Sequence, residues 1–345
     1  MRFLYTADLH LSRYGQDKVD SVSSLPERLL SIRNSLYHMS SYCRDNDIET
    51  MIIGGDLLHG KSIIYAIAQD IMLEYFRNNK DLKFIVIDGN HDLSGKGKDD
   101  IISALKPLDS ENNVHRVQAD HEFMDNMLLV PYSSNMIDII KNNEAPILIS
   151  HFGLNEGILN SGISIIADIG IKDLVNKYKL VLLGHYHKPQ EIINELISLY
   201  YVGSSVQLDW GEKHEEKRFL IVDSDTLQVE SIPTEGYTKF YEFELKEENK
   251  DEVVSEARQL IQEGHHVNIK KVENIDTSSL SKEFRIIDRV DRDITNRGIS
   301  TSMSQEDRLR RYCEVKGIPE DQIDKYITAA LHIIDSCSDK LQNVI

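Results

Sequence analysis

Asp8, His10, Asp56, Asn90, His151, His185 and His187 share one setting: each stands one to three residues beyond the end of a short apolar run. The runs are 2–7, 51–55, 84–89, 147–150 and 180–184. Strands that deliver carboxylate, amide and imidazole donors to one end of a sheet build a metal site, and this many donors suit two ions better than one. The mixture of oxygen and nitrogen donors fits a borderline or hard divalent ion and argues against an all-thiolate zinc site. A carboxylate can bridge two ions about 3.5–4 Å apart, and such a pair holds a phosphate and activates a water. Asp56 is the best bridging candidate, because its strand is expected to lie central among the ligand strands. Of the 13 histidines, His59 and His91 also fall just past strand ends. A lone buried histidine is usually a satisfied core residue, but chance does not easily put His10, His59, His91, His151, His185 and His187 in equivalent places.

The elements that must position these residues follow from periodicity. The apolar runs read as strands buried on both faces, and amphipathic helices alternate with them as in βαβ units. Pro26 opens one helix, with Leu29, Ile32, Leu36, Met39 and Cys43 near helical spacing. Ile63, Ile64, Ile67, Ile71 and Phe76 form the stripe of the next. In such sheets ligands gather beyond the carboxyl ends of the strands, where these polar residues fall. Further strands are expected at 128–132, 147–150, 180–184, 199–202 and 219–222, the later ones with hairpin-like connections. An α/β fold of two mixed sheets packed face to face, with helices outside, accounts for the count. The loop 11–24 is polar and carries Arg13 and Tyr14 over the ligand end of the sheet. The loop 93–98 carries Lys96 and Lys98 among glycines, and reads either as a phosphate-contacting loop or as a solvated turn.

Composition shifts near Pro233 and Gly236. Boundaries are expected at 1–235 for the two-sheet body, 236–290 for a small α+β unit, 291–303 for a polar linker and 304–345 for a helical segment. In that segment Ser304 resembles an N-terminal cap, and Leu309, Tyr312 and Cys313 share a face. After Gly317 and Pro319, a second stripe holds Ile323, Ile327, Leu331 and Ile334. Two short helices cannot bury both faces well by themselves, so they either pack back on the body or dock on a partner.

At 345 residues, with 41% hydrophobic and 28% charged residues, the chain reads as a soluble globular protein of two or three domains. No apolar run approaches the roughly 20 residues of a membrane helix, and no secretory leader pattern is expected at the N-terminus. The scattered Cys43, Cys313 and Cys337 form no disulfide framework and point to a reducing compartment, the cytoplasm. A formal charge of -18 argues against strong solitary binding to nucleic acid, because backbone affinity comes mainly from Lys and Arg. It does not argue against acting on nucleic acid, since divalent ions and a basic partner would offset it.

Asp8-x-His10, Gly55-Asp56, Gly89-Asn90-His91-Asp92, His151 and Gly184-His185-x-His187 together resemble the ordered motif series of the calcineurin-like metallophosphoesterases. Within that superfamily, the stretches 6–11 and 55–59 are similar to the SbcD/Mre-type DNA repair nucleases. The resemblance covers about the first 210 residues. It implies one ion on Asp8, His10, Asp56 and His187, and a second on Asp56, Asn90, His151 and His185. His91 would face the phosphate and protonate the leaving oxygen, with His59 orienting or assisting it. The resemblance also implies manganese, or magnesium as a poorer substitute, and DNA as substrate for exonuclease and endonuclease cleavage. Arg13, Tyr14, Lys96 and Lys98 are then candidate DNA contacts, and 236–290 becomes a DNA-contacting cap. An SMC-like coiled-coil ATPase would be gripped by the terminal helices, through Leu309, Tyr312, Ile323, Ile327, Leu331 and Ile334. A homodimer through the nuclease domain and a bacterial or phage-infected bacterial cell complete the expectation. A protein phosphatase or cyclic-nucleotide phosphodiesterase is the nearest alternative, but Asp56 is followed by Leu57-Leu58-His59-Gly60 rather than the phosphatase pattern Val-Asp-Arg-Gly two residues on. A non-catalytic scaffold would usually have lost ligands, and here the set is whole.

Overall fold

The computed structural model describes residues 1–15, 17–60, 63–95, 101–158, 167–288 and 304–342. The chain divides into two compact units, Met1–Glu242 with Ser255–Val267, and Phe243–Val254 with Asn268–Ile345.

The first unit opens with β1 (Arg2–Thr6), α1 (Glu27–Asp45), β2 (Thr50–Gly54), α2 (Ala66–Asn78) and β3 (Lys83–Ile87). The three strands are parallel, because each helical crossover returns the chain to the same end of the sheet. A short pair, β4 (Leu93–Ser94) and β5 (Ile102–Ser103), precedes β6 (Val114–Arg116). A second sheet and its helices then follow as β7 (Glu122–Met124), β8 (Met127–Val130), α3 (Met136–Asn142), β9 (Ile147–His151) and α4 (Ile171–Leu174). That sheet is completed by β10 (Leu180–Gly184), β11 (Gln190–Ile193) and β12 (Ser198–Tyr201). β13 (Arg218–Asp223) and β14 (Val229–Pro233) return to the first.

The strand orders are β14-β13-β1-β2-β3-β6 and β11-β12-β10-β9-β8-β7. β2 therefore lies between β1 and β3. Alternate residues of its strands serve two cores. Phe3, Tyr5, Ile52, Ile85 and Ile87 meet Met127, Leu129, Ile149 and Leu182 between the sheets. Leu4, Met51, Ile53, Phe84 and Val86 meet the stripes of α1 and α2 outside. Each such side chain contributes about 1.5–3 kcal/mol when fully buried, so the strand ends sit on a stiff frame.

Residues 219–222 fall in β13, which joins the first sheet antiparallel to β1 with Arg2 opposite Asp223 and Tyr5 opposite Leu220. The flank of β1 away from β2 is apolar on both faces, and β13 fills it, with Phe219 and Ile221 toward the helices and Leu220 and Val222 between the sheets. Ile63 is not part of a helical stripe: it is 68% exposed, and Tyr65 is still extended before α2 begins at Ala66.

After Pro233 come β15 (Phe240–Leu245), α5 (Lys250–Gln262), β16 (His266–Lys271) and β17 (Arg285–Asp288), in a three-stranded sheet whose last two strands are parallel. In the second unit, Ser304 caps α6 (Gln305–Val315), its Oγ accepting the Asp307 main-chain N–H at 3.0 Å. α7 (Glu320–Gln342) is 23 residues long. Cys313, Ile323 and Ile327 are buried between these helices, with Leu309, Ile318 and Leu331 packed around them. Among the described side chains, these cover part of each helix's apolar stripe. Tyr312 and Tyr326 remain 48% and 51% exposed. The side chain of Ile334, the stretch 291–303, and Lys96 and Lys98 lie outside the described residues.

Candidate metal centre

The loops at the strand ends are locked to one another before any side chain is considered. Main-chain N–H groups of Asp8, His10 and Leu11 donate to the carbonyls of Gly55, Asp56 and Leu57 at 3.0, 2.9 and 2.9 Å. Asp8, His10, Asp56 and His185 adopt positive φ of 52°, 52°, 53° and 94°. That region is sparsely used by residues with a Cβ, and strain of this kind persists only where the surroundings impose it. Gly55 combines a φ of 97° with no room for a Cβ, which would lie 2.4 Å from His151 Nδ1. Gly89 is required by space: a Cβ there would lie 2.3 Å from Asp56 Oδ1 and 2.4 Å from the Asp56 nitrogen. Gly89→Ala is expected to cost about 1–3 kcal/mol of stability and to displace Asp56. Urea unfolding and ion-binding calorimetry on the variant check this.

The side chains then converge. Asp8, His10, Asp56 and His151 are at most 1% exposed. Asp56 Oδ2 lies 3.6 Å from His10 Nε2 and 3.3 Å from His151 Nε2. Asn90 Oδ1 lies 3.2 Å from His151 Nε2 and 3.0 Å from His185 Nδ1. His10 Nε2 and His187 Nε2 are 2.9 Å apart. Both oxygens of Asp8 accept the His185 main-chain N–H, at 3.0 and 2.9 Å. Asp8, His10 and His187, and Asp8, Asp56 and His151, each bring donor atoms within 4.8 Å of one another.

These lone pairs need a cation. His151 Nδ1–H donates to the Gly54 carbonyl at 2.9 Å, which leaves Nε2 facing the acceptor oxygens of Asp56 and Asn90. Without an ion the ring must take a second proton. Burial would lower its pKa, yet Asp56 and Asp8 push it up to about 10. Burial would likewise raise Asp56, but His151 and His10 hold its carboxyl well below the usual range. Asp8 is raised to about 6, chiefly by burial. His185 is lowered to about 3 by burial and by His151, and His10 falls well below its ordinary value through burial and His187. Neutral imidazoles and buried carboxylates aimed at shared points are the donor chemistry of divalent ions, so the residues fit such a group. The family model for calcineurin-like phosphoesterases matches residues 1–189. This chain belongs to that family.

The phosphoesterase is also 24% identical over 312 residues to exonuclease subunit 1 of Enterobacteria phage T4, spanning 86% of this chain and 85% of the phage protein. Among solved structures, a nuclease of Pseudomonas putida is 16% identical, covering 67% of this chain and 87% of that one, with a TM-score of 0.33. A dimetal phosphatase from Danio rerio is 10% identical, covering 68% and 99%, with a TM-score of 0.43. No helix among the described residues is long and apolar enough to cross a membrane.

At the rim of the phosphoesterase centre, the His59 and His91 rings stack with centroids 4.9 Å apart and planes 12° apart. The His91 main-chain N–H donates to Asp56 Oδ1 at 2.7 Å, and His59 Nδ1 lies 2.9 Å from His10 Nδ1. His10, His59 and His91 also form a cluster whose geometry could hold an ion. Arg13 is exposed. Tyr14 is built into the wall instead: its hydroxyl donates to the His10 carbonyl at 2.8 Å, its ring lies 5.4 Å from His59, and Arg28 covers it at 4.1 Å.

Residues outside the expected set hold the centre together. Buried Asp92 accepts the N–H groups of Leu58, Gly89 and Leu57 at 2.8, 2.9 and 3.3 Å, so one carboxyl ties the Asp56 loop to the Asn90 loop. Its pKa is pushed well up by burial, Asp56 and Asp88. Its place in the Gly-Asn-His-Asp run was the available signal. Glu212 accepts His187 Nδ1–H at 2.8 Å, and buried Lys217 pairs with it. Nothing in the polar stretch 209–217 distinguishes those two residues from solvated charges.

Proposed function

We propose that this chain is the nuclease subunit of a DNA-end-processing complex. It hydrolyses phosphodiester bonds, as exonuclease and endonuclease, in double-strand-break repair, recombination or replication. The observation that carries this reading is the whole donor set, Asp8 to His187, in a chain that aligns with 85% of a phage exonuclease subunit. Asp8, His10, Asp56 and His187 hold one ion, and Asp56, Asn90, His151 and His185 the other. Manganese, with magnesium as a substitute, supplies Lewis-acid pull on the phosphate and acidifies the attacking water. Asp56 positions His91 through its main-chain N–H. The His91 ring faces the phosphate and gives a proton to the leaving 3′ or 5′ oxygen, while His59 stacked against it holds the ring plane. In this reading Arg13, Lys96, Lys98 and the segment 236–290 supply DNA contacts, while Tyr14 shapes the wall of the centre.

Residues 304–345 dock on an SMC-like coiled-coil ATPase, the nuclease body 1–235 pairs with a second copy, and the complex works in the cytoplasm of a bacterial or phage-infected cell. The charge of -18 supports a partner that carries the basic DNA-binding surface. Manganese at about 100 times its Kd is expected to stabilise the fold by about 2.7 kcal/mol for each site filled. Calorimetry should show a raised Tm that EDTA reverses.

The deciding experiment is a nuclease assay with manganese, with and without a co-expressed ATPase and ATP. Degradation of linear duplex DNA, with phosphopeptides and cyclic nucleotides untouched, supports the reading, and the reverse preference overturns it. Deletion from Ser304 onward is expected to abolish ATPase binding; retention of binding would remove the docking role.

A further inference from the structure

His151 and His187 are backed differently. Behind His151 stands a neutral main-chain carbonyl, that of Gly54. Behind His187 stands a carboxylate, Glu212, which is only 1% exposed. One oxygen of Glu212 is occupied by Ser204 Oγ, the Leu208 N–H and Lys217 Nζ at 2.9, 3.0 and 2.8 Å. The other accepts from the ring, so the proton sits on His187 Nδ1 and the lone pair of Nε2 faces the centre.

Lys217 is fully buried and grips the same ligand from its main chain, donating to the His187 carbonyl at 2.9 Å and to Glu215 at 2.8 Å. The Ser204 N–H donates to that carbonyl too, at 3.0 Å. Both the ring and the peptide of His187 are therefore held by one network from 204–217, beyond the last residue of the family match at 189. A buried ammonium is costly unless fully paired, and here its pairing is built around a single donor of the centre.

We infer that Glu212 and Lys217 are positioning residues: together they fix His187 with Nε2 toward the ions, and they make the ion on the Asp8, His10 and His187 side the more tightly held. A carboxylate behind an imidazole sets its tautomer and raises its strength as a ligand, and its loss typically costs 10–100-fold in metal affinity. The inference rests on the two-ion reading.

The test counts manganese ions on the full chain by titration calorimetry and electron paramagnetic resonance. Wild type is expected to bind two ions. Glu212→Gln should weaken one of them by about 10–100-fold and leave the other in place. Glu122→Gln, whose partner is His115 outside the donor set, should leave both unchanged. Two ions bound by Glu212→Gln as by wild type, or both weakened alike, would overturn the inference. A second readout needs no variant: long-range proton–nitrogen correlation on histidine-labelled wild type with magnesium should place the His187 proton on Nδ1, and a proton on Nε2 overturns the inference. One ion per wild-type chain would sink the two-ion reading while the tautomer measurement still decides the role of Glu212.

Discussion

On the proposed nuclease reading, Asp56→Asn is expected to leave the protein folded while cutting DNA hydrolysis by about 10²–10³-fold or more, the scale seen when preorganised electrostatic stabilisation is removed. The substitution keeps shape, and an amide oxygen can still accept the His91 N–H that now sits 2.7 Å from Asp56 Oδ1. It removes the charge that lies 3.6 Å from His10 Nε2 and 3.3 Å from His151 Nε2. A neutral amide there cannot serve two cations at once. The manganese-dependent rise in Tm should shrink together with activity. A variant that cleaves DNA at the wild-type rate would show that Asp56 joins nothing.

The second large effect is at His91. His91→Ala should lower kcat by about 10²–10⁴-fold, the usual worth of a positioned proton donor. KM for DNA and the number of bound ions should stay as in wild type. The reason is geometric: the link from residue 91 to Asp56 runs through the main chain, so alanine preserves it and deletes only the ring. Single-turnover kinetics beside ion counting separates this from a ligand role. If the variant loses an ion, the cluster of His10, His59 and His91 is itself a binding site and His91 belongs among the ligands. His59→Ala should have a smaller effect, since the stacking contact 4.9 Å away orients His91 without taking its proton.

The donors were legible in the sequence because each marks where an apolar run stops, and fully buried strands leave little ambiguity about where they end. The central place of β2 was legible for the same reason. β13 was not, because an apolar strand reads the same whichever sheet it joins, and only the vacant flank of β1 decides. Tyr14 read as a candidate DNA contact in a polar loop, yet its hydroxyl is spent on the His10 carbonyl. Glu212 and Lys217 were invisible for a more general reason. A charged residue reveals burial only through its partners, and those partners are contributed by residues distant in sequence.

That distance has a consequence for how the protein comes into being. His10 and His187 touch across 177 residues of chain, and Lys217 and β13 follow later still. At about 5–20 residues per second, His187 leaves the ribosome roughly 9–35 s after His10. Until then β1 lacks β13 and the donor set lacks His187, so a half-made chain has an incomplete centre. Order of synthesis alone keeps the phosphoesterase silent until the body that aims it is nearly complete.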